Sequence, residues 1–324
     1  MRTERRLILL PGVAAAFLLA VSLGCGNTPP ESSDLLRLDL DRADPRSFIS
    51  YYFGGLSAPE ATDPFQTGLV VESGDDYYVD PVALRRILDG APTAVDANDD
   101  GTLDWDELAP FLQATYYDLR PIPASFDSLQ IPENAGDWFE LSVDGVMTTA
   151  TRRIRVPLHA LRETIRQYRA RGNRLIYPPG TTIVAEHVVN EVTIERTTMR
   201  KRSDGYWDFA VFDSTGSRVP STVTPPKPLA VPTQCAGCHL GSRLYEPEKS
   251  FPAPAAPGPA GPRSVHWEGP VPTTDLVRYF DEHRKRSDGI LGLYATLYVA
   301  ELDARRSAGT LSDEESGLLD SLDL

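Results

Sequence analysis

The chain has 324 residues, 41% of them hydrophobic, enough for one large or two modest domains with a buried core. Its net charge is −14, from 46 acidic and 32 basic side chains, which excludes nonspecific attraction to nucleic acid. A mean hydropathy of −0.27 argues against a polytopic membrane protein, and 28 prolines with 24 glycines favour loops and turns over a long helical bundle.

Residues 1–25 read as a targeting segment. Arg2, Arg5 and Arg6 form a basic start, residues 7–23 are almost wholly apolar, and the run ends Gly24-Cys25. A small residue before a cysteine at such a place resembles a bacterial lipoprotein signal. Cys25 is then the lipidated first residue of an exported, membrane-anchored chain, and residues 26–33 are a polar tether. An ordinary signal peptide or an uncleaved anchor is the alternative. Setting Cys25 aside leaves Cys235 and Cys238, too few for a disulfide framework or a four-cysteine zinc site.

Residues 47–53 suit a short apolar helix or strand. Residues 80–88 open Asp80-Pro81 and place Val82, Leu84, Ile87 and Leu88 so as to predict a short helix. The acidic run from Asp96 to Glu107 fits an EF-hand loop at every position. Oxygen donors stand at Asp96, Asn98 and Asp100, then the Thr102 carbonyl, Asp104 and bidentate Glu107, with Gly101 at the sharp turn. Hard oxygens at this spacing hold calcium. Leu103 occupies the place where an apolar residue pairs with a second loop, but residues 39–50 and 72–83 lack the ligand spacing. Pro92 and Pro110 fall where the flanking helices should run. A lone loop of this kind favours a structural site over a switch that opens two packed helices. Residues 108–119 look helical.

The middle of the chain changes character. Residues 157–171 put Leu158, Leu161, Ile165 and Tyr168 at helical spacing, with Arg162, Arg166, Arg169 and Arg171 around them and Gly172 as a stop. Those arginines form a solvated face or neutralise the carboxylates of a bound group. Strand-like runs follow at 181–186, 188–199 and 206–213, with Ser203-Asp204-Gly205 as the turn between the second and third. A proline-rich connection, 220–232, leads to Cys235-Ala236-Gly237-Cys238-His239.

Cys-x-x-Cys-His attaches a c-type haem. The thiols of Cys235 and Cys238 each bond one vinyl group of a porphyrin, and His239 is placed to ligate the iron from one face. Export agrees with this, because bacteria attach such haem outside the cytoplasm. A thioredoxin-type redox pair would need a strand-to-helix junction in an α/β pattern, and zinc would need two more ligands. The second axial position stays open among Met147, Met199, His159, His187, His266 and His283. All three methionines precede the motif, whereas a small electron-transfer cytochrome c carries its methionine after it. That leaves an upstream ligand or a five-coordinate iron. Glu186 and His187 are neighbours in or just after one strand, so only one of them can face a haem pocket.

Residues 252–262 (PAPAAPGPAGP) form a stiff, extended spacer. Residues 273–324 read as two or three helices, with Ser312 and Glu315 as a capping box ahead of Leu318, Leu319 and Leu322.

Taken in order, Tyr177-Pro178-Pro179-Gly180-Thr181 before a β-rich run, Met199-Arg200-Lys201, Asp204-Gly205-Tyr206-Trp207-Asp208-Phe209 and then the haem motif resemble the cytochrome P-460 family over about residues 135–250. The resemblance implies a small, mostly antiparallel β fold, His239 as proximal ligand and an open distal face that meets small nitrogen species. Some members oxidise hydroxylamine, and relatives of the same fold bind diatomic gases. Hydroxylamine-oxidising members bond a lysine to the porphyrin from the first strand after the Gly-Thr turn. Ala185 stands about there in this chain, and Lys201 is the nearest lysine.

These readings combine into an α+β chain, a mostly antiparallel β haem domain with flanking helical segments. The expected parts are a signal at 1–25, a tether and N-terminal segment at 26–70, a helical segment with the calcium loop at 71–120, the haem domain at 121–251, a proline-rich linker at 252–263 and a C-terminal helical segment at 264–324. The expected protein is an exported, lipid-anchored monohaem cytochrome of the bacterial cell envelope, meeting a redox partner or small ligand at its iron. The competing expectation is a calcium-binding surface lipoprotein that acts as a scaffold without redox catalysis. The sequence assigns no acid–base pair, so no reaction follows from it.

Overall fold

The computed structural model describes residues 35–40, 45–54, 63–87, 96–144, 150–170, 176–223, 228–235, 264–266 and 291–324. The signal segment with Cys25, the linker, and Ala236 to His239 of the haem motif lie outside them. The first part of the fold is small. Strand β1 (Leu36–Asp39) is followed by α1 (Pro45–Phe53), the hairpin β2 (Val70–Ser73) and β3 (Asp76–Val79), α2 (Pro81–Ile87), β4 (Thr102–Asp104) and α3 (Trp105–Leu119). The strands form one sheet in the order β2-β3-β1-β4, with β1 antiparallel to β3 and parallel to β4. Asp80 caps α2 by accepting from the Val82 and Ala83 N–H groups at 2.8 and 3.1 Å. Helix α1 buries Phe48, Ile49, Tyr51, Tyr52 and Phe53, and the Phe48 ring meets Trp105 edge-on at 5.2 Å.

The second part is a seven-stranded antiparallel sheet in the order β10-β9-β8-β7-β6-β5-β11. Its strands are β5 (Trp138–Asp144), β6 (Thr151–Pro157), β7 (Thr182–Val189), β8 (Val192–Lys201), β9 (Trp207–Asp213), β10 (Arg218–Val219) and β11 (Ser264–His266). Helix α4 (Leu158–Ala170) follows β6, and α5 (Leu291–Ser307) and α6 (Asp313–Ser321) close the chain. The second and third strand-like runs of the sequence are β8 and β9. The first runs on through Val189, because the turn falls at Asn190-Glu191, with φ of 49° and 65°. Two consecutive left-handed residues make the tight hairpin whose twist suits antiparallel strands.

Alternation gives each strand two faces. On the face carrying Ile154, Val156, Ile183, Met199, Phe209 and Val211, β5 and β6 are covered by α4 and α5, whose Leu161, Ile165, Tyr168, Val299 and Leu302 are buried. The opposite face is a charged grid at β5–β8, where Glu140 and Glu186 pair with Arg153 and Arg155. Arg196 adds a third cation to Glu186. Nearer β9 that same face buries Ala210 and Phe212, and Phe126 stacks edge-on against Phe212 at 5.5 Å.

Two arginines, Arg120 buried and Arg202 partly buried, tie the parts together. Arg120 and Arg202 both donate to the carbonyls of Tyr51 and Gly54 that end α1, and both flank Asp208, at 3.5 and 3.6 Å. The C-terminal helices are attached as closely: Arg169 of α4 pairs with the fully buried Asp303 of α5, and Arg162 donates to the Leu322 carbonyl at 2.9 Å. The fold is therefore α+β, and residues 35–324 make one compact unit. Among the described residues no helix is long and apolar enough to cross a membrane.

Candidate functional site

The strand register assembles a site on the helix-covered face of the large sheet. Ile154, Ala185, Thr197 and Val211 stand in one row across β6, β7, β8 and β9. Ile154 and Val211 are buried, but Ala185 and Thr197, in the middle of the sheet, are only partly so. Small side chains at the centre leave a floor there. On one side of the floor runs a polar row, Arg152, His187 and Glu195, all buried. On the other side runs an apolar row, Ile183, Met199 and Phe209, also buried. Beyond it stand Lys201 and Trp207.

The polar row is internally bonded. His187 Nδ1 lies 3.3 Å from Glu195 Oε1, and Glu195 Oε2 accepts the Val223 N–H at 2.6 Å. Glu195 is fully buried, so both oxygens need such partners. His187 and Glu186 take opposite faces, as adjacent strand residues must: Glu186 belongs to the exposed arginine grid, His187 to the floor. Burial pulls the Lys201 ammonium down to about 7, with Asp204 opposing and Arg202 adding to the fall. Its Nζ donates to the Gly205 carbonyl and lies 5.2 Å from the Trp207 ring. The Trp207 indole N–H is buried with no hydrogen-bond partner among the described residues.

The Cys-x-x-Cys-His run begins near β10: the Val231 N–H, four residues before Cys235, donates to the Pro220 carbonyl at 3.0 Å. Cys235 is buried in the same core as Met199, Phe209 and Val211, on a helical turn with Thr233 and Gln234. On α3, Gln113 Nε2 donates to Thr233 Oγ1 at 2.7 Å, and the Tyr117 hydroxyl donates to the Val219 carbonyl at 2.9 Å and accepts the Val211 N–H at 3.2 Å. Its neighbour Tyr116 accepts the Phe209 N–H at 2.8 Å. Helix α3 thus supplies acceptors to two N–H groups of β9, whose outer neighbour β10 is only two residues long. Burial pushes the Tyr117 hydroxyl up to about 12, the Val211 bond opposing and the nearby Cys235 adding to the rise. With strands about 4.8 Å apart, Ala185 is about 10 Å from Val211. The small residues of the floor and the buried Trp207 N–H, which has no hydrogen-bond partner among the described residues, fit a planar group bearing carboxylates.

The other sequence candidates separate clearly. Met199 and His187 flank the floor. His159 is exposed on α4. The side chains of Met147, His266 and His283 lie outside the described residues, as do Cys238 and His239. The α4 arginines are taken up by acidic and carbonyl groups: Arg166 by Glu163, Arg169 by Asp303, and Arg162 by Leu322.

The loop at 96–107 takes a closed course. Asp96 accepts from the N–H groups of Asp99, Asp100 and Gly101, the last at 2.8 Å, and Asn98 and Asp100 accept at 3.0 and 2.8 Å from residues two further on. Asp99 and Gly101 are left-handed, with φ of 60° and 78°. Glu107 reaches back to the Ala97 N–H at 2.9 Å, which brings the last ligand position beside the first. Asp104 and Glu107 also form a capping box that starts α3. Leu103 finds its partner in β1 rather than in a second loop: it pairs in parallel with Leu38, and both are buried. Helix α3 runs unbroken through Pro110, giving up the bond to the Asp106 carbonyl, because its cap and its buried Leu108, Leu112, Thr115 and Tyr116 hold it. Among the described residues no three His, Cys, Asp or Glu side chains converge as ligands of one ion, since the loop carboxylates are turned to backbone N–H groups. The donor set is nonetheless all oxygen, and rotating Glu107 off the Ala97 N–H frees the bidentate carboxylate. The residues fit calcium.

Glu195, Arg152, Gln113 and Tyr117 could not be singled out from the sequence. Only the register places the first two beside His187, and only the fold brings α3 to Thr233, two residues before Cys235. No protein-family model, curated protein or solved structure matches this chain.

Proposed function

We propose that this chain is a monohaem c-type cytochrome of the cell envelope, with a haem held over the β7–β9 floor and a calcium ion held at 96–107. The observation that carries the reading is the Cys-x-x-Cys-His run, whose first cysteine is buried in the core. Cys235 and Cys238 would bind the porphyrin and His239 the iron. Bound haem supplies one-electron exchange and a coordination position for a small ligand. The chain's own residues would shape that position: Ala185 and Thr197 leave it room, Phe209 and Ile183 keep water from one side, and the His187–Glu195 pair offers hydrogen bonding from the other. Met199 and His187 are the two residues beside the floor able to take the sixth position.

The order of motifs supports kinship with cytochrome P-460 proteins, and so small nitrogen species as ligands. Ala185 lies on the floor where a cross-linking lysine would be expected, and Lys201 is two pleats away, which supports a haem without that bond. Calcium would draw its oxygens from Asp96, Asn98, Asp100, the Thr102 carbonyl, Asp104 and Glu107, and it would fix the start of α3. Cys25 would carry the lipid anchor.

Nitric oxide tests the reading. The reduced, haem-loaded protein is expected to shift its Soret band on adding nitric oxide, and a Met199→Ala or His187→Ala variant to bind faster if that residue fills the sixth position. A spectrum indifferent to nitric oxide in the wild type and both variants would contradict ligand binding. A protein that takes no haem but whose melting temperature rises with calcium would favour the calcium-binding scaffold, a reading supported by the closed 96–107 loop.

A further inference from the structure

One side of α3 meets the large sheet. Tyr116, Tyr117 and Arg120 stand at the three- and four-residue spacing that puts side chains on one face of a helix. The Tyr116 hydroxyl accepts the Phe209 N–H at 2.8 Å, and the Tyr117 hydroxyl accepts the Val211 N–H at 3.2 Å. Arg120, the C-cap residue, lies 3.5 Å from Asp208 of the same strand. Among the described residues β10 pairs with β9 only at Val211 and Phe212. Two amides of β9 are therefore held by side chains of a helix, and their protection reports whether α3 is in place.

The other end of α3 is the 96–107 loop. Asp104 and Glu107 form the capping box of the helix and are also two of the loop's oxygen donors. Glu107 accepts the Ala97 N–H at 2.9 Å, so one side chain ties the start of the loop to the first turn of the helix. A divalent cation shared by Asp96 and Glu107 would fasten that junction more firmly than a single exposed hydrogen bond.

We propose that α3 relays the state of the loop to the large sheet, so that calcium at 96–107 protects the Phe209 and Val211 amides of β9. The proposal rests on reading 96–107 as a calcium site. The relay is one element whose seating both ends bias, which is what coupling between distant sites requires.

Hydrogen–deuterium exchange of the full chain, resolved to single amides and run with calcium and with a chelator, tests this. Calcium should slow exchange at Phe209 and Val211 roughly threefold to tenfold more than at the β6 and β7 amides, the scale of one hydrogen bond. Tyr117→Phe should speed exchange at Val211 and abolish the calcium effect there while leaving it at Phe209, and Tyr116→Phe should do the reverse. Glu107→Ala should remove the calcium effect at both. Calcium that slows the 96–107 amides but not Phe209 and Val211, or that slows every strand equally, would overturn the relay. Calcium that changes no amide of 96–107 would instead defeat the calcium reading, and the relay with it.

Discussion

Glu195 shows how much one buried side chain carries here. It is fully enclosed, it bonds the Val223 backbone that leads toward Cys235, and it fixes the His187 ring beside the floor. Glu195→Ala strands the Val223 N–H and is expected to lower stability by about 1–3 kcal/mol, measured by urea unfolding. Arg120 is enclosed in the same way, and Arg120→Met removes three carbonyl partners at the end of α1 and one of the two cations beside Asp208. A loss of about 3–5 kcal/mol is expected in the same measurement, because the buried carboxylate is left half-paired. Lys201 behaves oppositely. Its folded pKa of about 7 lies below its ordinary 10.5, so between these values the unfolded chain binds more protons and stability rises with pH. The melting temperature of Lys201→Met should lack that component: wild type should gain on the variant from pH 7 to pH 10, and parallel curves would show the ammonium to be solvated.

At the scale of elements, legibility followed sequence distance. The α2 cap and the Ser312–Glu315 box are readable because their partners stand at fixed short intervals. Strand β6 was not: in Thr151–Pro157 the arginines at 153 and 155 alternate with buried Ile154 and Val156, a period of two masked by its charge. The partner of Leu103 was not readable either, since β1 lies far upstream and pairs in parallel. Pro110 misled for a physical reason, as one missing hydrogen bond is outweighed by a capped, half-buried helix. That helix begins in the loop, and its Gln113 bonds Thr233 two residues before Cys235, which couples two predictions. Calcium at a hundredfold excess over its Kd should stabilise the wild type by about 2.7 kcal/mol and leave Glu107→Ala unmoved in thermal melting. It should also slow Cys235 alkylation in the haem-free wild type, and an unchanged rate would mean that α3 is rigid without the ion.

For the whole molecule, the segments separable by composition turn out to be parts of one unit. The end of α3, the large sheet and the C-terminal helices are joined by ion pairs, Arg120 with Asp208, both buried, and half-exposed Arg169 with buried Asp303. Composition and spacing can place segments, but long-range pairs depend on the fold. The account stands or falls on covalent haem. The chain should be purified from a host that attaches c-type haem, then denatured and run on a gel beside a Cys235→Ala/Cys238→Ala variant. A haem-stained band in the wild type and none in the variant is the predicted result. A colourless wild-type band with both thiols free would contradict it.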